Sequence, residues 1–351
     1  MPKISVIAPV YGVEKYIYQF MDSVIEQSFN DFEFIIVDDG SPDRCPEILD
    51  EYAKKDKRIR VIHQKNQGVA IARNTGIDAA TGEYAYIVDS DDWLEKNALE
   101  ILYRDAKKTG ADCVMADCVV QKRKNKYRRY QFSKKFYTDD PNVIAGIQQY
   151  ILCQKFSPYY TPKSVNGYAA PWGKFIKMSI IKDNHIRFDP YVRGLFDDGL
   201  FSLAVLEHVK SFYYGMEYVY NYRVNENSLT LKYNPKEIDR TRLGFEKIEE
   251  FIKDNNREER LTLPYYCHVS RFLIYKLDTY FFNINNDKTY SDIKKELKKT
   301  IDSEPFKTAI NRCHLRYFRK GHIFLIMCFR LHWVDGIKLY REWKKTRPKE
   351  E

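Results

Sequence analysis

Residues 83–94, Glu-Tyr-Ala-Tyr-Ile-Val-Asp-Ser-Asp-Asp-Trp-Leu, constrain this chain more than any other stretch. The apolar run 84–88 reads as a buried strand and stops at three carboxylates, Asp89, Asp91 and Asp92. Acids at the carboxyl end of a buried parallel strand lie where open α/β sheets bind their ligands. Set side by side, they repel one another unless a cation or another positive partner offsets the charge. A hard divalent ion bridging carboxylate oxygens and substrate phosphates is the simplest occupant. The competing reading has Ser90, Asp91 or Asp92 capping a helix that begins near Glu95; capping needs one such side chain, not three acids.

The surrounding pattern places that strand. Apolar runs at 4–9, 32–37, 59–63, 84–88 and 112–120 alternate with helical periods at 14–27, around 48–53, at 68–80 and around 99–107. Such alternation means βαβ units, a parallel sheet and right-handed crossovers. Parallel strands share a carboxyl edge, so Pro9-Val-Tyr-Gly12, Asp38-Asp-Gly-Ser41 and Asp89-Ser-Asp-Asp92 converge on one crevice. Gly40 and Pro42 also suit a plain turn, and Asp39 or Ser41 a helix cap. Arg73 and Asn74 fall late in the third helix, where an Arg could offset the acids or grip a phosphate or base edge through its planar fork. The chain has neither Gly-x-Gly-x-x-Gly nor Gly-x-x-x-x-Gly-Lys-Ser/Thr, which argues against a dinucleotide fold and a P-loop. Asp197-Asp198, beside Phe196 at the start of a helix through 207, is the best candidate for a catalytic base. Paired acids near apolar residues push one carboxyl pKa upward; a helix N-cap with a first-turn acid is the other reading.

After residue 121 the pattern changes. Lys122-Arg-Lys-Asn-Lys-Tyr-Arg-Arg129 has no apolar face and suits an exposed hairpin or loop. A helix is expected at 143–156, a loop at 158–167, renewed order at 172–177 and a Tyr-rich strand at 212–223. Beyond Pro235 only helical patterns follow, which divides the chain into a catalytic part, 1–232, and a helical part, 233–351. Residues 317–334 are apolar, aromatic and flanked by bases, in a chain of net charge +9. That stretch is too short to span a bilayer. It suits a helix lying in the interface of an anionic membrane, or one packed on the catalytic part or in a homodimer. Seven scattered cysteines, none in Cys-x-x-Cys, argue against a disulfide framework or zinc site and for a reducing cytosol. Met1-Pro-Lys3 runs directly into a strand-like segment, so no secretory leader is expected. The expected place is the cytoplasm, or the cytoplasmic face of a membrane.

Four stretches then carry a resemblance: Ile4-Ser-Val-Ile-Ala-Pro-Val-Tyr-Gly-Val-Glu-Lys-Tyr16, Val37-Asp-Asp-Gly-Ser41, Gly68-Val-Ala-Ile-Ala-Arg-Asn-Thr-Gly76 and Val88-Asp-Ser-Asp-Asp-Trp93. Together they resemble the family 2 inverting glycosyltransferases of bacterial surface-polysaccharide synthesis, such as that of capsule and lipopolysaccharide. Trp172-Gly-Lys174, Asp197-Asp198 and Tyr222-Arg-Val-Asn-Glu-Asn-Ser-Leu-Thr230 match more loosely, and nothing family-wide follows Asn234. The resemblance implies an A-type glycosyltransferase fold, an α/β, Rossmann-like, mostly parallel sheet flanked by helices, followed here by the helical part. It implies a nucleotide-diphospho-sugar donor, with UDP foremost, and Mg²⁺ or Mn²⁺. A hexosyl or N-acetylhexosaminyl group would pass to a hydroxyl of a saccharide or lipid-linked saccharide.

Carried over by residue, Pro9, Tyr11 and Asp39 would line the nucleoside, with Asp39 accepting from the base. Arg73 would contact the base or phosphates. Asp89, with Ser90 beside it, would hold the ribose or metal, and Asp91 would ligate the metal across the diphosphate. Asp198 resembles the base that deprotonates the acceptor. The family usually has Glu-Asp where this chain has Asp197-Asp198, which leaves open which acid is the base, and Gly12 stands where Asn is common. A sugar nucleotidyltransferase is a weaker alternative, because no Gly-rich loop follows the first strand. A nucleic-acid binder built on Lys122–Arg129 and the basic tail would be repelled by the acidic strand ends, so no nucleic-acid partner is expected.

Overall fold

The first apolar run becomes β1 (Ile4–Val10), buried at all seven positions as a strand covered on both faces must be. In chain order it is followed by β2 (Phe32–Asp38), β3 (Ile59–His63), β4 (Tyr84–Ile87), β5 (Trp93–Leu94), β6 (Cys113–Lys122), β7 (Asn125–Arg129), β8 (Phe136–Thr138), β9 (Lys174–Lys177) and β10 (Phe212–Arg223). The helices are α1 (Glu14–Ile25), α2 (Cys45–Lys55), α3 (Val69–Ala79), α4 (Ala98–Thr109), α5 (Pro141–Leu152), α6 (Met178–Asp183) and α7 (Leu195–His208). They continue as α8 (Glu237–Asp254), α9 (Glu258–Lys276), α10 (Tyr290–Ile301), α11 (Phe306–Arg312), α12 (Lys320–Arg330) and α13 (Val334–Lys345). This is a computed structural model, and it describes residues 1–122, 125–156, 169–192, 195–224 and 233–346. The loop expected at 158–167 and the motif residues 225–230 lie outside the described residues.

The chain forms two units, residues 1–151 with 157–226, and residues 152–156 with 227–351. In the first, the sheet order is β3-β2-β1-β4-β9-β6-β10-β5, with β7 on β6 and β8 on β10. Strands β1 to β4 are parallel neighbours, and β10 runs parallel to β6. The parallel pattern is interrupted by β9, antiparallel to both β4 and β6. Residues 172–177 read from sequence only as renewed order. Four residues carry too few alternations to declare a strand's direction, which its two neighbours decide. The helix expected near Glu95 starts at Ala98, because Trp93 and Leu94 first pair with β10. Its N-cap is Asn97, so none of Ser90, Asp91 and Asp92 caps it.

Helix α3 packs on β1 through Gly76, where a Cβ would overlap Ile7 Cγ2. That close approach brings Arg73, one turn earlier, toward the acidic ends of the strands. Within the sheet, Asp117 of β6 is fully buried and accepts the Tyr214 hydroxyl at 2.8 Å and the Gln131 N–H at 3.0 Å. Burial pushes its carboxyl up to about 7, against the pull of those two bonds. A carboxyl raised in the fold binds its proton more tightly there than in the unfolded chain. Its contribution is therefore present at acid pH and lost as pH rises from about 4 to 7. Asp117→Asn is expected to remove that loss, leaving the variant about 2–3 kcal/mol less sensitive between pH 5 and 8; urea denaturation at both pH values measures it.

The second unit is helical throughout its described residues. Phe245 of α8 meets Phe272 of α9 and Phe306 of α11 edge-on, at 5.4 and 5.9 Å between ring centres. No described helix is long and apolar enough to cross a membrane.

Candidate active site

The carboxyl ends of β1, β2 and β4 lie on one edge because those strands are parallel and in register. Ser90 fixes the junction by donating its hydroxyl to the Pro9 carbonyl, 2.8 Å away. Both are buried, while Tyr11, just past the end of β1, is 52% exposed. At the end of β2 the two acids serve different loops. Asp38 accepts His63 Nδ1 at 2.9 Å and the Ser41 N–H at 3.0 Å. Asp39, also buried, accepts Gln64 Nε2 (2.7 Å) and the N–H groups of Gln67 (2.9 Å) and Gly68 (2.8 Å). With three donors from residues 64–68 on one carboxylate, Asp39 holds the loop that launches α3.

The stretch 89–92 separates into three roles. Asp92 points inward, nearly fully buried, taking the Tyr220 hydroxyl at 2.8 Å and the Arg223 N–H at 2.6 Å. Burial and then the neighbouring Asp91 push its carboxyl well above the ordinary range. Its partners are structural, and they tie the turn to β10. Asp89 receives Arg73 Nη2 at 2.9 Å, and its N–H donates to the Tyr220 hydroxyl at 3.1 Å. The Asp91 carboxylate accepts no hydrogen bond from another described residue, and burial followed by the Asp89 charge raises it to about 6. Its backbone carbonyl is held by Arg223 Nε at 2.8 Å, and the Arg223 guanidinium stacks on Tyr16 and Trp93, each 4.6 Å away. That leaves Asp91 as a desolvated carboxylate on a clamped backbone.

The remaining acids arrive from α7. Asp197 and Asp198 occupy its first turn, where the helix dipole favours negative charge. Arg73 joins them to β4. Its Nη1 donates to Asp198 Oδ1 at 2.7 Å and lies 3.7 Å from Asp197 Oδ2, while Nη2 serves Asp89. The guanidinium is 4% exposed, covers the Phe188 ring at 4.9 Å, and is held protonated by these carboxylates against the pull of burial. Asn74 fixes Phe188 by bonding both its N–H and its carbonyl at 2.9 Å. Arg73, expected to face a base or phosphate, thus has both terminal nitrogens engaged by carboxylates.

The two α7 acids differ. Asp197 is 1% exposed, one of its oxygens is buried without a partner, and burial followed by the Asp198 charge pushes it up to about 8. Asp198 keeps a side chain 19% exposed; burial raises it, and Arg73 opposes that. Lys174 of β9, buried, donates to the Ala170 carbonyl at 3.0 Å and is lowered to about 8 by burial. Sequence reasoning missed Tyr220 and met Arg223 only within the motif 222–230, with no role of its own. The available signal was the alternation of Tyr220 and Tyr222 at the end of β10, one face of a strand that runs parallel to β6 and ends near the acids.

The model of Glycosyl transferase family 2 matches residues 5–162. The chain is 31% identical over 261 residues to a Bacillus subtilis (strain 168) protein described as a glycosyltransferase, EpsH, covering 74% of this chain and 71% of that one. It is 28% identical over 355 residues to the uncharacterized glycosyltransferase EpsJ of the same organism, covering 99% and 97%. In three dimensions it resembles S. aureus TarS 1-349 in complex with UDP-GlcNAc, with TM-score 0.68 and 19% identity, over 99% of this chain and 93% of that one.

Proposed function

This chain belongs to glycosyl transferase family 2, and from that premise we propose that it is an inverting, metal-assisted enzyme. It moves a sugar from a nucleotide-diphospho-sugar, UDP foremost, to a hydroxyl of a saccharide or lipid-linked saccharide in surface-polysaccharide synthesis. The observation that carries this reading is the Arg73 fork, which sets Asp89 of the donor edge and Asp198 of α7 on one guanidinium. The TarS complex with UDP-GlcNAc supports a UDP donor. The seven buried free cysteines support a reducing compartment, the cytoplasm. We assign transfer to residues 1–232 and read 233–351 as a separate helical part.

The residues fit a divalent cation of one kind. Among the described residues no three His, Cys, Asp or Glu side chains are grouped to hold a metal. Mg²⁺ and Mn²⁺ can draw one or two carboxylates from the protein and the rest from diphosphate and water. Asp91, half-buried and without a hydrogen-bond donor from another described residue, suits that, with the Asp89 oxygen not bound to Arg73 beside it. When bound, the ion neutralises charge on the departing diphosphate.

The chain's own residues supply the rest. Pro9, Tyr11 and the loop held by Asp39 bound the nucleoside side, with Asp89 and Ser90 next to the ribose. Asp197 holds a proton near neutral pH, because burial and its neighbour make a second charge costly there. Asp198, paired with Arg73 and partly exposed, is the base of the pair and in its ionised form accepts the acceptor hydroxyl's proton. The freed oxygen attacks the anomeric carbon while the bond to the diphosphate breaks, and a nucleoside diphosphate leaves from the opposite face. Arg73 acts on the acids, holding base and donor acid in one geometry.

Hydrolysis and transfer assays over UDP-, GDP- and dTDP-sugars with Mn²⁺ test the reading. Turnover of a UDP-sugar is expected, with Asp91→Asn lowering kcat/KM about a hundredfold or more. No turnover of any donor sinks the reading, and normal turnover by Asp91→Asn removes Asp91 from the metal site.

A further inference from the structure

Helix α12 is apolar on two sides. Leu325, Ile326, Cys328 and Phe329 are buried in the helical unit. Phe324, Met327 and Leu331 return at three- and four-residue spacing on another side and are 37%, 39% and 68% exposed. A surface helix of a globular protein has one apolar stripe and a polar back, so this second stripe is surplus to folding. It continues onto α13. The Phe324 ring lies 6.1 Å from Trp333 and 5.2 Å from Tyr340, and Tyr340 lies 5.7 Å from Trp343. The approach depends on Gly321, where a Cβ would overlap the Tyr340 hydroxyl.

Charge gathers at one end of this face. Residues 316–346 carry eight Lys and Arg against two acids. Arg341 is paired with Asp278, and Lys338 lies 4.0 Å from Glu342. Arg319, Lys320, Lys344 and Lys345 have no acidic partner among the described residues. Lys320 and Trp343 line one cleft of about 410 Å³, so the start of α12 and the end of α13 are adjacent and their bases cluster. Leu331 and Trp333 occupy the other end.

We infer that the face formed by α12 and α13 docks on an anionic phospholipid bilayer. The aromatic and aliphatic side chains enter at headgroup depth and the clustered bases meet lipid phosphates. No described helix can cross the bilayer, so the contact lies in the interface plane. A second copy of the chain fits less well. A two-fold interface sets a patch against itself, and these unpaired bases would face their own kind. The inference rests on the proposed function only in naming where a lipid-linked acceptor is met.

Co-sedimentation of the full chain with phosphatidylcholine vesicles, with and without phosphatidylglycerol, tests it. Binding is expected to the anionic vesicles alone and to weaken with salt. Reversing three bases (Lys320→Glu, Lys344→Glu, Lys345→Glu) is expected to lower partitioning at least about a hundredfold, and Met327→Glu with Leu331→Glu about tenfold or more. Unchanged thermal midpoints show that both variants fold. Equal binding to neutral and anionic vesicles, or native-like binding by the charge variant, overturns the inference. So does a native dimer that ignores vesicles and that Met327→Glu with Leu331→Glu breaks. Donor hydrolysis in free solution should be the same in all three proteins. Its absence from the native chain, with vesicle binding intact, would count against the transfer chemistry and leave the surface standing.

Discussion

Asp198→Asn is expected to lower kcat for sugar transfer about 10²- to 10⁴-fold, the usual contribution of a general base. Donor affinity should change little, because Asn still accepts from Arg73 Nη1 at the Asp198 position, now 2.7 Å away. Asp197→Asn is the discriminating partner. An amide mimics the neutral carboxyl that burial already imposes at a group raised to about 8, so this variant should keep activity within about tenfold. The reverse ranking would assign proton abstraction to Asp197. The native pH profile carries the same sign. A base works ionised, and burial raises Asp198 above the ordinary carboxylate value. Activity should therefore rise with pH through a midpoint above that value, and Asp198→Asn should flatten this limb. Steady-state kinetics across pH on the three proteins measures all of this.

The legible parts of this chain were those where local pattern and tertiary outcome coincide. Strands 59–63 and 212–223 coincide with the β-branched and aromatic runs that name them in the sequence. The mostly parallel sheet followed from alternation alone. What escaped depends on partners distant in sequence. Strand β9 takes its direction from β4 and β6, not from its own four residues. Asp39 was readable as an acid at a strand end, but its three donors come from 64–68, and no spacing rule connects them. Asp92 looks the same as Asp89 and Asp91 on paper. Only the hydroxyl of Tyr220, 128 positions away, shows that it is a structural acid turned inward. Arg73 was singled out for its charge, yet its partner Asp198 lies 125 residues further on. Sequence names the chemical groups; topology decides which of them share a proton or a charge.

Arg73→Met is expected to destabilise the fold by about 3–5 kcal/mol, the cost of removing one partner from a buried ionic network. The guanidinium is 4% exposed and is the cation shared by Asp89, Asp197 and Asp198. Without it these carboxylates face one another from β4 and α7, and Met fills much of the volume over Phe188 while supplying no charge. The sign with pH separates this from a packing loss. In the variant Asp197 and Asp198, already raised in the native fold, lose the cation that opposes that rise and go higher, so the folded state binds extra protons and the deficit grows as pH rises. The deficit against the native chain should be small near pH 4 and larger at pH 8. Arg73→Lys should lie between, because an ammonium is a point charge that cannot bridge both sides with a planar fork. Urea denaturation of the three proteins at pH 5 and pH 8 gives the answer. A deficit that is the same at both pH values would mean that Arg73 holds the site through shape, and that the acids do not need its charge.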